Sequence, residues 1–212
     1  MLEIYYAKTS QIEKYFDNAY KYLSAERYEK FNRYKNIDDK LRCLASGILL
    51  AKFFSAEKIN SIEYNKLGKP FIKGDKYFNI SHSGEYVVLA ISDDVVGIDI
   101  ENHNRAYDES TSERLQKKIM SVNEQKYMMS SENKVEDFVK FWTLKESYLK
   151  WTGEGIRTQL SKIEFVINKD KATLAKGSDE FNFYINSKIK GYTVSICTKD
   201  KNFENKITQI EI

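Results

Sequence analysis

An α+β fold of two similar lobes is predicted by two observations. Helical periodicity gives way to strand periodicity twice along the chain, with the change near residue 102, and 212 residues are enough for two small lobes, 1–101 and 102–212. A crevice between such lobes is the natural place for a site.

Each element follows from its pattern. Residues 1–8 read as a first strand, and helical stretches follow at 12–23 and 38–57. The second carries Leu41, Leu44, Ala45, Ile48, Leu49 and Phe53 on one stripe. Between them, 26–35 is polar and aromatic, with Arg27, Lys30, Arg33 and Lys35 close together. Strands are expected at 77–80, 86–91 and 95–100, with Ser92, Asp93 and Asp94 turning the last two into a hairpin. Residues 102–108 read as a connection, helices return at 109–129 and 135–151, and strands at 162–167, 181–185 and 192–198 follow.

Composition narrows the class. Hydrophobic residues make up 42%, with Tyr 15 and Phe 12, which suits a packed core and excludes a disordered chain. A net charge of +3 demands neither nucleic acid nor an anionic membrane as partner. No basic-then-apolar segment opens the chain, and no apolar run nears the roughly 18 residues of a membrane helix, so a soluble cytoplasmic protein is expected. Cys43 and Cys197 match no metal spacing and are expected as reduced, packed thiols.

In the run from Val95 to Glu101, strand alternation places Val96, Ile98 and Ile100 on one face and Gly97, Asp99 and Glu101 on the other. Two neighbouring carboxylates repel each other. They suit either a divalent cation, with Gly97 leaving the face open, or a strand end turned to water. The helix at 135–151 offers a third carboxylate: Phe138, Phe141, Trp142, Tyr148 and Leu149 form its apolar stripe, Lys145 falls near the centre and Glu146 at the edge. Two plainer readings stand beside this, Lys145 snorkelling along its stem and Glu146 with Lys150 forming a surface pair. Gly153, Glu154 and Gly155 end that helix in a turn. The run Asn79-Ile80-Ser81-His82-Ser83-Gly84 could turn N–H groups, hydroxyls and an imidazole toward an anion, and Gly68-Lys69-Pro70 sets a lysine on a stiff turn. Neither a G-x-S-x-G elbow nor a zinc-spaced histidine pair is present, so serine-hydrolase and zinc chemistry are poor readings.

Together, Gly68-Lys69-Pro70, Phe78-Asn79-Ile80-Ser81-His82-Ser83, Gly97-Ile98-Asp99-Ile100-Glu101 and Phe141 through Lys150 resemble, in order, the surfactin-synthetase-activating (Sfp-type) 4′-phosphopantetheinyl transferases. The resemblance implies two pseudo-symmetric α/β lobes with the active site in the cleft between them. It also implies transfer of 4′-phosphopantetheine from coenzyme A to a serine of an acyl, peptidyl or aryl carrier protein of fatty-acid, polyketide or peptide synthesis. Asp99, Glu101 and Glu146 match the metal ligands, for Mg2+ or else Mn2+. Ser81, His82 and Lys69 match contacts to coenzyme A, Arg27 with Lys30 the grip on its 3′-phosphate, and Lys150 the lysine beside the reacting diphosphate. Asp99, Glu146 and Lys150 are then the catalytic residues, with Glu146 as general base, directly or through water, and Lys150 serving the departing 3′,5′-ADP. Three positions depart from the pattern: Cys43 stands where a threonine is frequent, Glu154 where the turn is usually basic, and Asn32 where a basic residue is frequent. A single two-lobed chain implies a monomer. Two other classes use the same residues: a metal-dependent phosphohydrolase of coenzyme A-like nucleotides, and a nucleic-acid-binding module built on 27–42.

Overall fold

The computed structural model describes the chain apart from residues 11, 107–108, 154–158 and 178–179, and gives backbone alone for 105–106 and 109–113. The expected turn at Glu154 and Gly155 lies outside the described residues.

The chain forms four layers, helix, sheet, sheet, helix, and the strand sequences show why. In β5 (Tyr86–Ser92), Val87, Leu89 and Ile91 pack into one core beneath α2 (Ile37–Ala51), while Val88 and Ala90 pack into a second core between the sheets. A strand buried on both faces reads as a continuous apolar run, which is its sequence. The first sheet sets β5 between β1 (Leu2–Lys8) and β4 (Tyr77–Ser83), and β11 (Ile207–Gln209) returns to pair in parallel with β1. The second sheet runs β6 (Val96–Asn102), β10 (Tyr192–Thr198), β9 (Asn182–Asn186), β8 (Lys171–Leu174), β7 (Phe165–Asn168). On its outer face, α7 (Lys134–Thr152) covers β6 and β10 over a third core containing Phe141, Leu144 and Leu149. The expected α+β class is thus found, each sheet carrying one main helix.

Several expectations change. The hairpin across Ser92, Asp93 and Asp94 does not form: β5 pairs with β1 and β4, whereas β6 pairs with β10 in the other sheet. Two apolar strands joined by a short turn have the same letter pattern whether they pair or face each other across a core. A hairpin instead joins β4 to β5 through Gly84, whose positive φ of 52° suits a glycine. Residues 26–35 lie largely in a helix, α1 (Ala25–Arg33), capped by Ser24, whose hydroxyl accepts the Arg27 N–H. It buries only Phe31, so its apolar signal is slight. The helix expected at 38–57 breaks after α2 and restarts at the Ser55 cap as α3 (Ala56–Asn60). The short strands β2 (Glu63–Tyr64) and β3 (Pro70–Phe71) come next, and the expected connection at 102–108 contains α4 (His103–Ala106). That expected at 109–129 likewise divides, α5 (Glu109–Ile119) ending before a capping box of Ser121 and Glu124 starts α6 (Val122–Ser130).

Candidate active site

The edge strands of the two sheets, β4 and β6, run beside each other and are joined by side chains. Asn79 accepts the Ile98 N–H through Oδ1 at 2.8 Å, and Ser81 Oγ donates to Asp99 Oδ1 at 2.7 Å. Ser83 Oγ donates to Glu101 Oε1 in a short bond and accepts the Asn102 N–H at 3.1 Å. Alternation on β4 dictates this set, since residues 79, 81 and 83 share a face. It also separates Ser81 from His82, two expected contacts to one ligand: Ser81 is buried at the seam, while His82 opens to the cleft.

The helix α7 closes the outer side of the seam. Gly97 admits it, because a Cβ there would lie 1.9 Å from Ser147 O and 2.7 Å from Trp151 N. The expectation that Gly97 leaves room for an ion is therefore corrected; it leaves room for the α7 backbone. At this spacing, Lys150 Nζ reaches Asp99 Oδ1 at 2.6 Å and Ile98 O at 3.1 Å, and the Trp151 indole donates to Val95 O at 2.8 Å. Lys150 thus pairs with Asp99 rather than forming the surface pair with Glu146. Glu146 Oε1 is buried without a hydrogen-bond partner. Burial first, and the charge on Asp99 second, raise the pKa of Glu146, against the opposing pull of Lys150.

Lys145, one residue earlier, faces the other way and does not snorkel. Fully buried, it donates to Glu124 Oε2 at 2.5 Å, Ile119 O at 2.7 Å and Leu160 O at 3.1 Å. Glu124 meanwhile accepts N–H groups from Ser121 and Phe165, so one ion pair ties α5, α6, the approach to β7 and α7 together.

Two cavities follow one face of α7. The first, about 410 Å³, is lined by Arg42, His82, Ser83, Glu101, Phe138 and Trp142. The second, about 240 Å³, includes Lys69, Ile80, Glu146, Leu149 and Lys150. A larger depression of about 720 Å³, bounded by Met1, Asp94, Phe203 and Lys206, contains none of these residues. Convergence of charged groups, more than size, marks the smaller pair as the site. His82 is open to solvent at the cleft mouth, yet the protein mass around it, with Lys150, Arg42 and Arg27, lowers its pKa to about 4. The imidazole is neutral at physiological pH, and three cations act on one point. Arg42, which no pattern in the sequence sets apart, is held by Asp39 Oδ1 at 2.7 Å and Gly84 O at 3.3 Å.

The remaining expected residues divide. Lys69 donates to Lys150 O at 2.5 Å and Val96 O at 3.2 Å, tying the end of α7 to the start of β6; burial lowers its pKa to about 8. Arg27 turns inward, with Nη2 at 3.9 Å from Cys43 Sγ and its Nε buried without an acceptor. Lys30 stays exposed, its ammonium 5.8 Å from the Tyr34 ring.

The described residues contain no ready-made group of three His, Cys, Asp or Glu side chains able to hold a metal ion as they stand. The donor set nevertheless fits a hard divalent cation. Among the described residues, hydrogen bonds to these carboxylates use Asp99 Oδ1 and Glu101 Oε1, which leaves Asp99 Oδ2, Glu101 Oε2 and the orphaned Glu146 Oε1 as oxygen donors. The positive charge that Asp99 meets in this structure is that of Lys150.

A cation-lined cleft beside three carboxylates, between two helix-covered sheets, defines an enzyme that handles an anionic, phosphate-bearing substrate. Residues 95–197 match the family model of the 4′-phosphopantetheinyl transferase superfamily, and residues 9–94 that of the 4′-phosphopantetheinyl transferase N-terminal region. The chain is 29% identical to 4′-phosphopantetheinyl transferase gsp of Aneurinibacillus migulanus over 225 aligned positions, covering 100% of this chain and 92% of that protein. It is 30% identical to 4′-phosphopantetheinyl transferase psf-1 of Bacillus pumilus, covering 84% and 79%. A holo-(acyl-carrier-protein) synthase of Bacillus anthracis, solved in complex with CoA (3′,5′-ADP), is similar at 25% identity and a TM-score of 0.40, over 48% of this chain and 91% of that one. The chain belongs to the 4′-phosphopantetheinyl transferase superfamily.

Proposed function

We propose that this enzyme transfers 4′-phosphopantetheine from coenzyme A to a serine of an acyl, peptidyl or aryl carrier protein, with Mg2+ held by Asp99, Glu101 and Glu146. The carrying observation is that Glu146 Oε1 is buried without a partner, and that among the described residues Asp99 and Glu101 spend one oxygen each, next to cavities lined by Arg42, Lys69 and Lys150.

Bound there, Mg2+ would supply charge neutralisation and Lewis acidity to the diphosphate. The residues themselves do the following. The carrier serine Oγ attacks the phosphorus that bears the pantetheine arm, its bond to the bridging oxygen breaks, and 3′,5′-ADP departs with that oxygen. Glu146 takes the serine proton, directly or through a water; a cation held by its carboxylate would lower its basicity, which favours the route through water. Lys150 leaves Asp99 to meet the charge growing on the departing phosphate. Arg27 and Lys30 receive the 3′-phosphate, a role supported for Arg27 by its buried, unpaired Nε. Arg42 and the neutral imidazole of His82 add to that grip. Ser81 joins them only by exchanging Asp99 for a phosphate oxygen, and Lys69 acts from behind by holding the end of α7.

Lobes of 1–101 and 102–212 remain the proposed division, with β6 lending its edge to the second sheet and β11 returning to the first. A cytoplasmic monomer is proposed as well. Both cysteines are free and buried, as suits a reducing compartment, and one chain supplies both walls of the cleft. The test mixes protein, coenzyme A, Mg2+ and apo-carriers, and reads intact mass. Addition of one phosphopantetheine arm to a carrier supports the proposal; release of 4′-phosphopantetheine without a carrier, or no reaction with fatty-acid, polyketide and peptide carriers alike, overturns it.

A further inference from the structure

We propose that alternate residues of β4 form a positioning ladder for the carboxylates of β6, and that Ser83 sets the orientation of Glu101; the inference rests on the metal reading above. The two strands belong to different sheets, so no backbone ladder fixes their register. Asn79, Ser81 and Ser83 take its place, each reaching a different residue of β6. Asn79 engages only backbone, whereas the two serines engage carboxylates.

The hydroxyl directions are determined by their partners. Ser83 is buried and its Oγ already accepts the Asn102 N–H, so its proton goes to Glu101 Oε1. The Asn102 N–H also meets Oε1, at 2.9 Å. One oxygen of Glu101 is thereby clamped and the other left without a hydrogen bond among the described residues, as a preset ligand. Ser81 does the same for Asp99, but shares Oδ1 with Lys150. Asp99 has two side-chain holders and Glu101 has one, and Glu101 is the longer chain with more rotamers to restrain. Loss of the hydroxyl therefore matters more at position 83 than at 81. Outer partners that orient ligands commonly change metal affinity by about 10–100-fold.

The test titrates Mn2+ into the full chain with coenzyme A present and reads free Mn2+ by electron paramagnetic resonance, with circular dichroism as the fold control. Ser83→Ala should weaken binding by about 10–100-fold, Ser81→Ala by less, and Ser83→Thr should restore it to within about threefold. Asn79→Ala should lower the unfolding midpoint with affinity nearly unchanged. If alanine at 83 does not fold, Ser83→Thr and Ser83→Cys replace it, and affinity must follow donor strength. Wild-type protein that binds no Mn2+ removes the metal reading and the ladder with it. Wild-type binding that Ser83→Ala retains in full removes the ladder alone.

Discussion

Lys145 and Lys150 stand five residues apart on α7, and the two sides of that helix assign them different work. Lys145 is buried with an acceptor for each of its three protons: one carboxylate and two backbone carbonyls. Lys150 is about a quarter exposed and is shared between the Ile98 carbonyl and Asp99, whose second oxygen has no hydrogen bond among the described residues. A saturated, dry cation cannot be spared, because removing it strands a buried carboxylate. A partly exposed one, on a carboxylate that Ser81 also holds, can be lent to a substrate at lower cost. The same residue type is thus scaffold on one face and chemistry on the other.

The sharpest way to break this comparison is to remove the cleft lysine. Lys150→Ala should lower transfer by about 10³-fold at saturating coenzyme A, while urea unfolding changes by less than the ~3–5 kcal/mol expected at Lys145, because Ser81 still holds Asp99. A large stability loss would make Lys150 a second scaffold residue.

Next in size is its opposite. Lys145→Met should cost about 3–5 kcal/mol of unfolding free energy through the uncompensated Glu124, and adding Glu124→Gln should recover part of it. Turnover per folded molecule should stay within about tenfold, as measured by transfer rates corrected for the folded fraction.

Gly97→Ala tests the spacing that lets α7 serve both sides. Its added methyl meets helix backbone, so a stability loss of about 1–3 kcal/mol is expected, with transfer depressed more than stability predicts. Unchanged transfer would mean that Glu146 and Lys150 tolerate displacement.

Smaller still, Arg27→Ala should raise KM for coenzyme A about tenfold with kcat little changed, since its charge is remote from the reacting phosphorus. A fall in kcat alone would place it nearer the chemistry.

The smallest effect concerns pH. His82 has a folded pKa of about 4 against the ordinary 6.5, so the unfolded chain binds more protons between these values. Stability from this group is present above about pH 6.5 and lost as pH falls toward 4, and His82→Asn should flatten that part of the pH dependence. Because the ring is solvent-open, the slope should be shallow. Proton NMR of the ring should show no titration near neutrality.

Period and spacing were enough to place Asp99 and Glu101 on one face, and Glu146 one turn from Lys150, because those relations are local. The α1 helix was harder to see, since a helix burying one aromatic leaves almost no stripe. The division of the cleft residues was invisible for another reason. Lys69 reads as an exposed turn lysine, yet it is spent on the carbonyls of Val96 and Lys150, residues 27 and 81 positions away.

What the letters alone determined is the inventory: helices followed by strands twice over, paired carboxylates on a strand, a lysine and a glutamate on a helix, and a basic aromatic segment. Tertiary structure decided the partners. It moved β6 out of the expected hairpin into the second sheet, set β4 against it through Asn79, Ser81 and Ser83, and laid the α7 backbone on Gly97. Alternation and helical period specify which way a side chain points relative to its own backbone. What it points at depends on contacts between distant segments, and those follow from how the cores pack.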